Sequence, residues 1–234
     1  MRAAVHQPQY FPYPGFFHKL KMADVFVVMD DVQYERGFIN RNRILDSHGP
    51  LWLTVPIRRE DKFRPIAEVA INDEIPWAAE HWKKILVSYS NARFFDLYRA
   101  RLESIFSARW GSLCELNMES LKMTMDWLGI RIPIIRESEL GVRTTGSQRL
   151  VDVCKSIGAD VYVSGRGGRD YINEADFKKA NVKLEYQSYV PVPYLHRLAG
   201  SFVPDLSILD ALANVGPDTK TLIDPQRPLV QATG

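Results

Sequence analysis

The segment Gln7-Pro8-Gln9-Tyr10-Phe11-Pro12-Tyr13-Pro14-Gly15-Phe16-Phe17-His18-Lys19 sets aromatic faces beside an amide, an imidazole and an amine. That mix makes a ligand platform, with Gln7 and Tyr10 as contacts and His18 as a general acid or base, because histidine titrates near neutrality. Its prolines restrict the loop, and Gly15 permits close approach. Asp30-Asp31 follow an apolar run, where a carboxylate can bind a ribose hydroxyl, hold a metal through water or act as a base. Asp30 is read as the base, and Asp31 as a binding group or as a turn-former with Gln33. Asn40-Arg41-Asn42-Arg43 packs donors beside a strand, and arginine is a planar donor suited to carboxylate or phosphate. Alternation puts Arg41 and Arg43 on one face and Asn40 and Asn42 on the other. Asn40 and Arg41 are candidate substrate contacts, and a salt bridge from Arg41 to Asp30-Asp31 stands beside that as the structural alternative, the two left open by the residues alone.

Ser164-Gly165-Arg166-Gly167-Gly168-Arg169-Asp170-Tyr171 is rich in glycine after a short apolar run. Uncovered backbone amides suit a phosphate or a carbonyl. Ser164, Gly165, Arg169, Asp170 and Tyr171 are therefore substrate-binding candidates, and the glycines are expected to turn amides or a positive-φ bend toward the cavity. The loop is neither a Walker A motif nor a GxGxxG fingerprint, so it names no nucleotide and leaves the cofactor unknown. Thr144-Thr145-Gly146-Ser147-Gln148-Arg149 opens a helix, where a hydroxyl can cap the orphan amides or an anion can sit, with Arg149 adding charge. His196, after Pro191-Val192-Pro193-Tyr194-Leu195, is a second candidate base, while His6 reads as a satisfied core group. A G-x-S-x-G elbow and an HxxxD motif are both absent from the sequence. Gln7, Tyr10, Asp30, Asn40 and Arg41 are expected to converge. At least two of Arg41, Arg43, Arg143, Arg149 and Arg169 are expected to line the pocket without an acidic partner.

These residues need strands and helices to hold them. Arg2–His6 and Val25–Met29 read as strands, the second buried on both faces. Asn42–Asp46 and Trp52–Ile57 flank Ser47-His48-Gly49-Pro50 as a hairpin, and Ile66–Ile71 alternates as if to extend it. Residues 73–128 carry three helical apolar stripes, ended by Gly129. Ile132–Arg136, Asp160–Ser164 and Val182–Tyr186 read as strands, alternating with helices at Gly146–Ile157 and Glu174–Ala180, and Leu206–Asn214 is a last helix. Alternation of this kind argues for α/β: a Rossmann-like, mostly parallel sheet with a helical insertion or cap and a small antiparallel region. Residues 1–217 are read as one domain with the insertion at 73–128, and 218–234 as a C-terminal tail, loose from Asp224 onward.

The 234 residues are 46% hydrophobic with a formal net charge of +2, which supports a packed core and disfavours a dedicated nucleic-acid binder. The two cysteines, Cys114 and Cys154, lie far apart without a Cys/His cluster, which argues against a zinc site and fits a reducing compartment. The N-terminus lacks the apolar core of a secretion signal, and no run is long and apolar enough to span a bilayer, so the expected compartment is the cytoplasm. No metal is expected. The expected partner is a small molecule, and a homo-oligomer is compatible with this composition.

Gln7-Pro8-Gln9-Tyr10-Phe11-Pro12, Ala23–Tyr34 with Asp30-Asp31, and Asn40-Arg41-Asn42-Arg43-Ile44 resemble the WbqC-like protein family. So do Arg149-Leu150, Tyr162-Val163-Ser164-Gly165, Asp170-Tyr171 and Phe202–Asp210, in order, from Gln7 to about Pro217. The resemblance implies bacterial surface-polysaccharide biosynthesis of the O-antigen or capsule type. It implies a transferase working on a nucleotide-linked amino sugar with an acyl or aminoacyl donor. The order strand, proline-rich loop, helix, strand, Asp also resembles the start of the HUP-type nucleotidyltransferases and adenylate-forming enzymes. Their HxGH pair is missing here, with only His18 near the matching place. A non-catalytic ligand-binding or scaffold protein of the same pathway is the third reading.

Overall fold

The computed structural model describes residues 1–225. A five-stranded sheet runs β5 (Ile134–Arg136), β2 (Val25–Val28), β1 (Arg2–His6), β6 (Val161–Ser164), β7 (Lys183–Tyr186), every neighbouring pair parallel. The chain starts at the centre, steps outward through β2 to β5, then returns to the other side of β1 for β6 and β7. The order therefore reverses between β1 and β6, the kind of switch point that opens a crevice at the carboxyl ends of the strands.

Continuous apolar strands form here because both faces of the sheet are covered. Ala4, Phe26 and Val28 face a core with Phe16, Phe17 and Leu20 of α1 (Pro14–Lys21). Ala3, Val5, Val25 and Val27 face the opposite core, with Leu150, Val153 and Cys154 of α5 (Gly146–Ser156) and Phe177 of α6 (Glu174–Lys179). The first core also takes the apolar stripes of α2 (Trp77–Tyr89), α3 (Asp96–Ser107) and α4 (Leu113–Trp127). One stripe residue, Leu97, is 63% exposed.

β3 (Arg41–Asp46) and β4 (Gly49–Thr54) form the antiparallel hairpin, with Gly49 at φ 116 in its turn. β4 stops short of the expected Ile57 because Pro56 has no N–H for a ladder. Ile66–Ile71 does not extend this sheet: Ile66–Glu68 is a 3-10 turn after Pro65, and only isolated bridges Ile57–Ile71 and Ala70–Ser112 follow. The helix expected over Leu206–Asn214 forms as α7 (Ile208–Val215). Beyond it α8 (Thr219–Leu222) packs Leu222 and Ile223 into the first core, so ordered packing passes Pro217. Residues 226–234 of the expected tail lie outside the described residues. No helix among the described residues is long and apolar enough to cross a membrane.

Candidate functional site

A cleft of about 270 Å³ opens at the switch point. Val5 and His6 at the end of β1 form one part of it, and Tyr13, Phe16 and Lys19 come from the start and inner face of α1. Tyr162, Gly165, Arg166, Gly167, Gly168 and Tyr171 line the opposite side, with Gln187 after β7. The lining holds an amine, an imidazole and a guanidinium but no Asp or Glu.

Lys19 lies on the buried face of α1 and is 2% exposed. Its Nζ donates to Val5 O at 3.2 Å, and burial drops its pKa from the usual 10.5 to about 7. The Nδ1 of His6 lies 3.0 Å from Gln7 O. Because a carbonyl only accepts, this contact puts the ring proton on Nδ1. Burial, reinforced by Lys19, pushes the His6 pKa down to about 3, so the ring is neutral.

The glycine-rich stretch folds as a 3-10 turn, Arg166–Asp170, whose first amides have no acceptor within it. None of its glycines takes a positive φ, contrary to that part of the expectation. Gly168 is required for space instead: a Cβ there would stand 2.0 Å from Ser164 Oγ. Gly167 has open space around it. Arg166 Nη1 donates to Tyr189 O at 3.4 Å. Arg169 stacks 4.3 Å from the Tyr186 ring centroid and Tyr171 is 67% exposed. Ser164 is buried and donates to Gly165 O, and neither it, Arg169 nor Asp170 lines the cleft.

The expected convergence does not occur. Tyr10 is fully buried, its hydroxyl 3.0 Å from His81 Nδ1 on α2. Asn40 Nδ2 donates to Val55 O at 2.9 Å. Asn42 Nδ2 donates to Phe11 O at 2.7 Å, and Ser207 Oγ donates to the same oxygen at 2.9 Å, which pins Phe11 at φ 41. Arg41 and Arg43 point the other way, as alternation predicts, and lie 4.4 and 5.7 Å from the Trp52 ring centroid. Among the described residues neither has a carboxylate partner, nor do Arg166, Arg169 and Lys19. Of the five arginines expected at a pocket, none lines the cleft; the arginine that does is Arg166. Gln7 contributes its carbonyl to His6 and is not part of the lining.

Asp30 and Asp31 belong to an ion-pair network at the ends of β2 and β5. Asp30 is fully buried and accepts from Arg136 Nε at 2.7 Å, Ser138 N at 2.9 Å and Ser138 Oγ at 3.0 Å. Asp31 takes Arg143 at 3.0 Å and Arg149 at 3.4 Å. Arg149 also bonds Glu137 at 2.5 Å, a buried carboxyl whose pKa desolvation raises. Asp30 thus has three donors already on it, an arrangement that anchors the strand ends. The α5 start is closed in the same way: Thr144 Oγ1 bonds Asp152 and Arg149 Nη1 bonds Thr144 O.

The candidate histidines differ. His18 is buried behind Gln187, whose Nε2 lies 3.3 Å from His18 Nδ1 and donates to Gly15 O at 2.8 Å; burial lowers the His18 pKa. His196 is sealed in the second half of the chain. Its Nε2 accepts from Val203 N at 3.0 Å, so Nδ1 carries the proton and donates to Asp210 Oδ1 at 2.7 Å. Tyr89 and Tyr194 donate to the same carboxylate. Both ring nitrogens are engaged and the side chain is fully buried, so the geometry makes His196 a strut, against the expectation of a base.

The sequence marks Lys19 within the platform and Arg166 within the glycine-rich loop without giving either a role of its own, and His6 reads from it as a core group. A lysine one residue before buried Leu20 and three after buried Phe16 was the available signal for Lys19. Among the described residues no group of three His, Cys, Asp or Glu side chains gathers to hold a metal ion.

The sequence model of the WbqC-like protein family matches residues 7–222. The chain is 31% identical over 217 residues to the "Uncharacterized protein Rv1507c" of Mycobacterium tuberculosis, covering 92% of this chain and 94% of that protein. No solved structure matches.

Proposed function

The chain belongs to the WbqC-like protein family, and from that premise we propose that it is a transferase of bacterial surface-polysaccharide biosynthesis. It binds a nucleotide-linked amino sugar in the switch-point cleft and passes an acyl or aminoacyl group to the sugar amine. The observation that carries this reading is a cleft at the strand-order reversal with Lys19, His6 and Arg166 in its lining and no carboxylate. Arg166 is the cation of this lining and no carboxylate opposes it, which favours a ligand bearing negative charge, and phosphates meet arginine and free turn amides well. Tyr13 and Tyr171 offer faces for a ring on either side. Work on nucleotide-linked sugars places the chain in the cytoplasm, and residues 73–128 act as a cap on one α/β domain.

The test is a thermal-shift screen of nucleoside-diphosphate amino sugars, because a ligand of the folded state raises stability by mass action. A rise in midpoint with one such sugar, lost in Arg166→Ala, is the expected result. No rise with any of them at about 1 mM, a concentration far above the affinity of a working site, overturns the reading. The strand order also favours a second reading, a nucleotidyl- or adenylate-forming enzyme, since this topology binds nucleotides at the same crevice. Pyrophosphate release from a nucleoside triphosphate would select it.

A further inference from the structure

Lys19 is a lysine buried without a counter-ion, at the wall of a cleft. Its Nζ has one protein acceptor, Val5 O, although an ammonium offers three donors. No group gathered around the cleft supplies a negative charge to hold that ammonium. His6 from β1 carries its proton on Nδ1 toward Gln7 O. Arg166, from the turn after β6, is a cation. Desolvation pushes the phenols of Tyr13 and Tyr162 further toward their protonated form, Tyr171 brings another phenol, and Gln187 donates to Gly15 O. No carboxylate lines the cleft. A charged ammonium placed there is poorly compensated, whereas a neutral amine needs no partner beyond Val5 O.

Resting on the transferase reading above, we propose that Lys19 Nζ is the general base of the cleft, the group that takes the proton from the sugar amine as that amine is acylated. The sugar nitrogen attacks the carbonyl carbon of an activated acyl donor, a thioester or an acyl phosphate, and a C–N bond forms. One N–H proton moves from that nitrogen to Lys19 Nζ. The carbonyl re-forms, and the bond to the thiolate or phosphate leaving group breaks. The lysinium then returns its proton to the leaving group or to water. The imidazoles are less suited: His6, at about 3, is too weak a base to hold a proton at neutrality, His18 lies behind Gln187, and His196 has no free nitrogen. The displaced pKa of Lys19, about 7, matches the task.

The experiment uses pyridoxal 5′-phosphate as the probe, followed by borohydride and peptide mapping. Its phosphate suits Arg166 and the free turn amides. Its aldehyde reacts only with an unprotonated amine: nitrogen adds to the carbonyl carbon, water leaves, and hydride reduces the imine to a stable adduct. The expected result is preferential labelling of Lys19, with a rate that is half-maximal near pH 7 (about 7 being its displaced pKa) and that inorganic pyrophosphate suppresses. Absence of labelling at Lys19, or a midpoint like that of the surface lysines, overturns the proposal. Labelling at neutral pH without protection by pyrophosphate keeps the neutral amine and removes the phosphate-bearing substrate, so the two readings fail separately. Lys19→Met supplies the second arm, since methionine has similar volume and no group that takes a proton. Acyl transfer should be lost while calorimetry still registers sugar-nucleotide binding. Retained transfer in that variant overturns the base assignment.

Discussion

Replacing Lys19 by methionine should make the protein more stable, and by an amount that depends on pH. In the unfolded chain the amine titrates at its ordinary 10.5, and in the fold at about 7. The unfolded state therefore binds the proton more tightly. Above pH 10.5 both states are neutral and the penalty vanishes. As pH falls toward 7 the unfolded state is protonated while the folded one resists, and the penalty grows; below 7 it is complete. Each unit is worth about 1.4 kcal/mol, so the cost of Lys19 at neutral pH is roughly 5 kcal/mol. Methionine has similar volume and leaves little cavity. It gives up the bond to Val5 O, worth about 1 kcal/mol. The net expectation is a gain of about 3–4 kcal/mol at pH 7 that shrinks toward zero at pH 10.5. Urea unfolding of both proteins at the two pH values measures it, and the ionisation of buried tyrosines cancels in the difference. A gain of the same size at both pH values, or a loss at pH 7, would refute the claim that Lys19 is held neutral against its own preference.

Acid should unfold the protein in a defined window. His6 and His81 titrate at about 3 and about 4 in the fold, below the usual 6.5, so stability is present above 6.5 and drains as pH falls toward 4, by up to roughly 2.7 kcal/mol per unit; His81→Gln, which keeps a partner for Tyr10, should about halve the slope of unfolding free energy against pH. In the turn after β6, Gly168→Ala should lower the urea midpoint because its Cβ meets Ser164 Oγ, whereas Gly167→Ala should leave it unchanged; equal effects would mean the turn is set otherwise. Asp210→Ala removes the shared acceptor of buried Tyr89 and His196 and of part-buried Tyr194, and should cost about 3 kcal/mol or more in unfolding free energy, at about 1–3 kcal/mol per stranded donor.

The sheet was legible because its strands are short apolar runs between helical patterns, and that alternation has few solutions. Val25–Val28 reads as doubly buried from its own residues. The hairpin was visible in Ser47-His48-Gly49, and the misread stretch Ile66–Ile71 shows why periodicity alone fails: Pro65 starts a turn, and the alternating residues follow it. The site was legible in part. The loop Gly165–Tyr171 and the segment ending at Lys19 were marked, and both reach the cleft. Which polar residue in each segment faces that cleft depends on pairings across the fold that no local pattern encodes. Arg41 stacks on Trp52, eleven residues away in the adjoining strand, while Asp30 meets Arg136 and Ser138 from a strand far along the chain. His196 looked like a base because its type permits it; its sealing depends on Asp210 and Val203.

The central claim is that the switch-point cleft holds the phosphate-bearing substrate, and calorimetric titration of one nucleoside-diphosphate amino sugar into three proteins tests it most directly. A charge-assisted arginine contact is worth about 1.5–3 kcal/mol, so Arg166→Ala should weaken binding about tenfold or more relative to the parent. Arg143→Ala removes an exposed arginine paired with Asp31 outside the cleft and should leave the affinity unchanged. Unchanged affinity in Arg166→Ala, or an equal loss in Arg143→Ala, would contradict the assignment of the site.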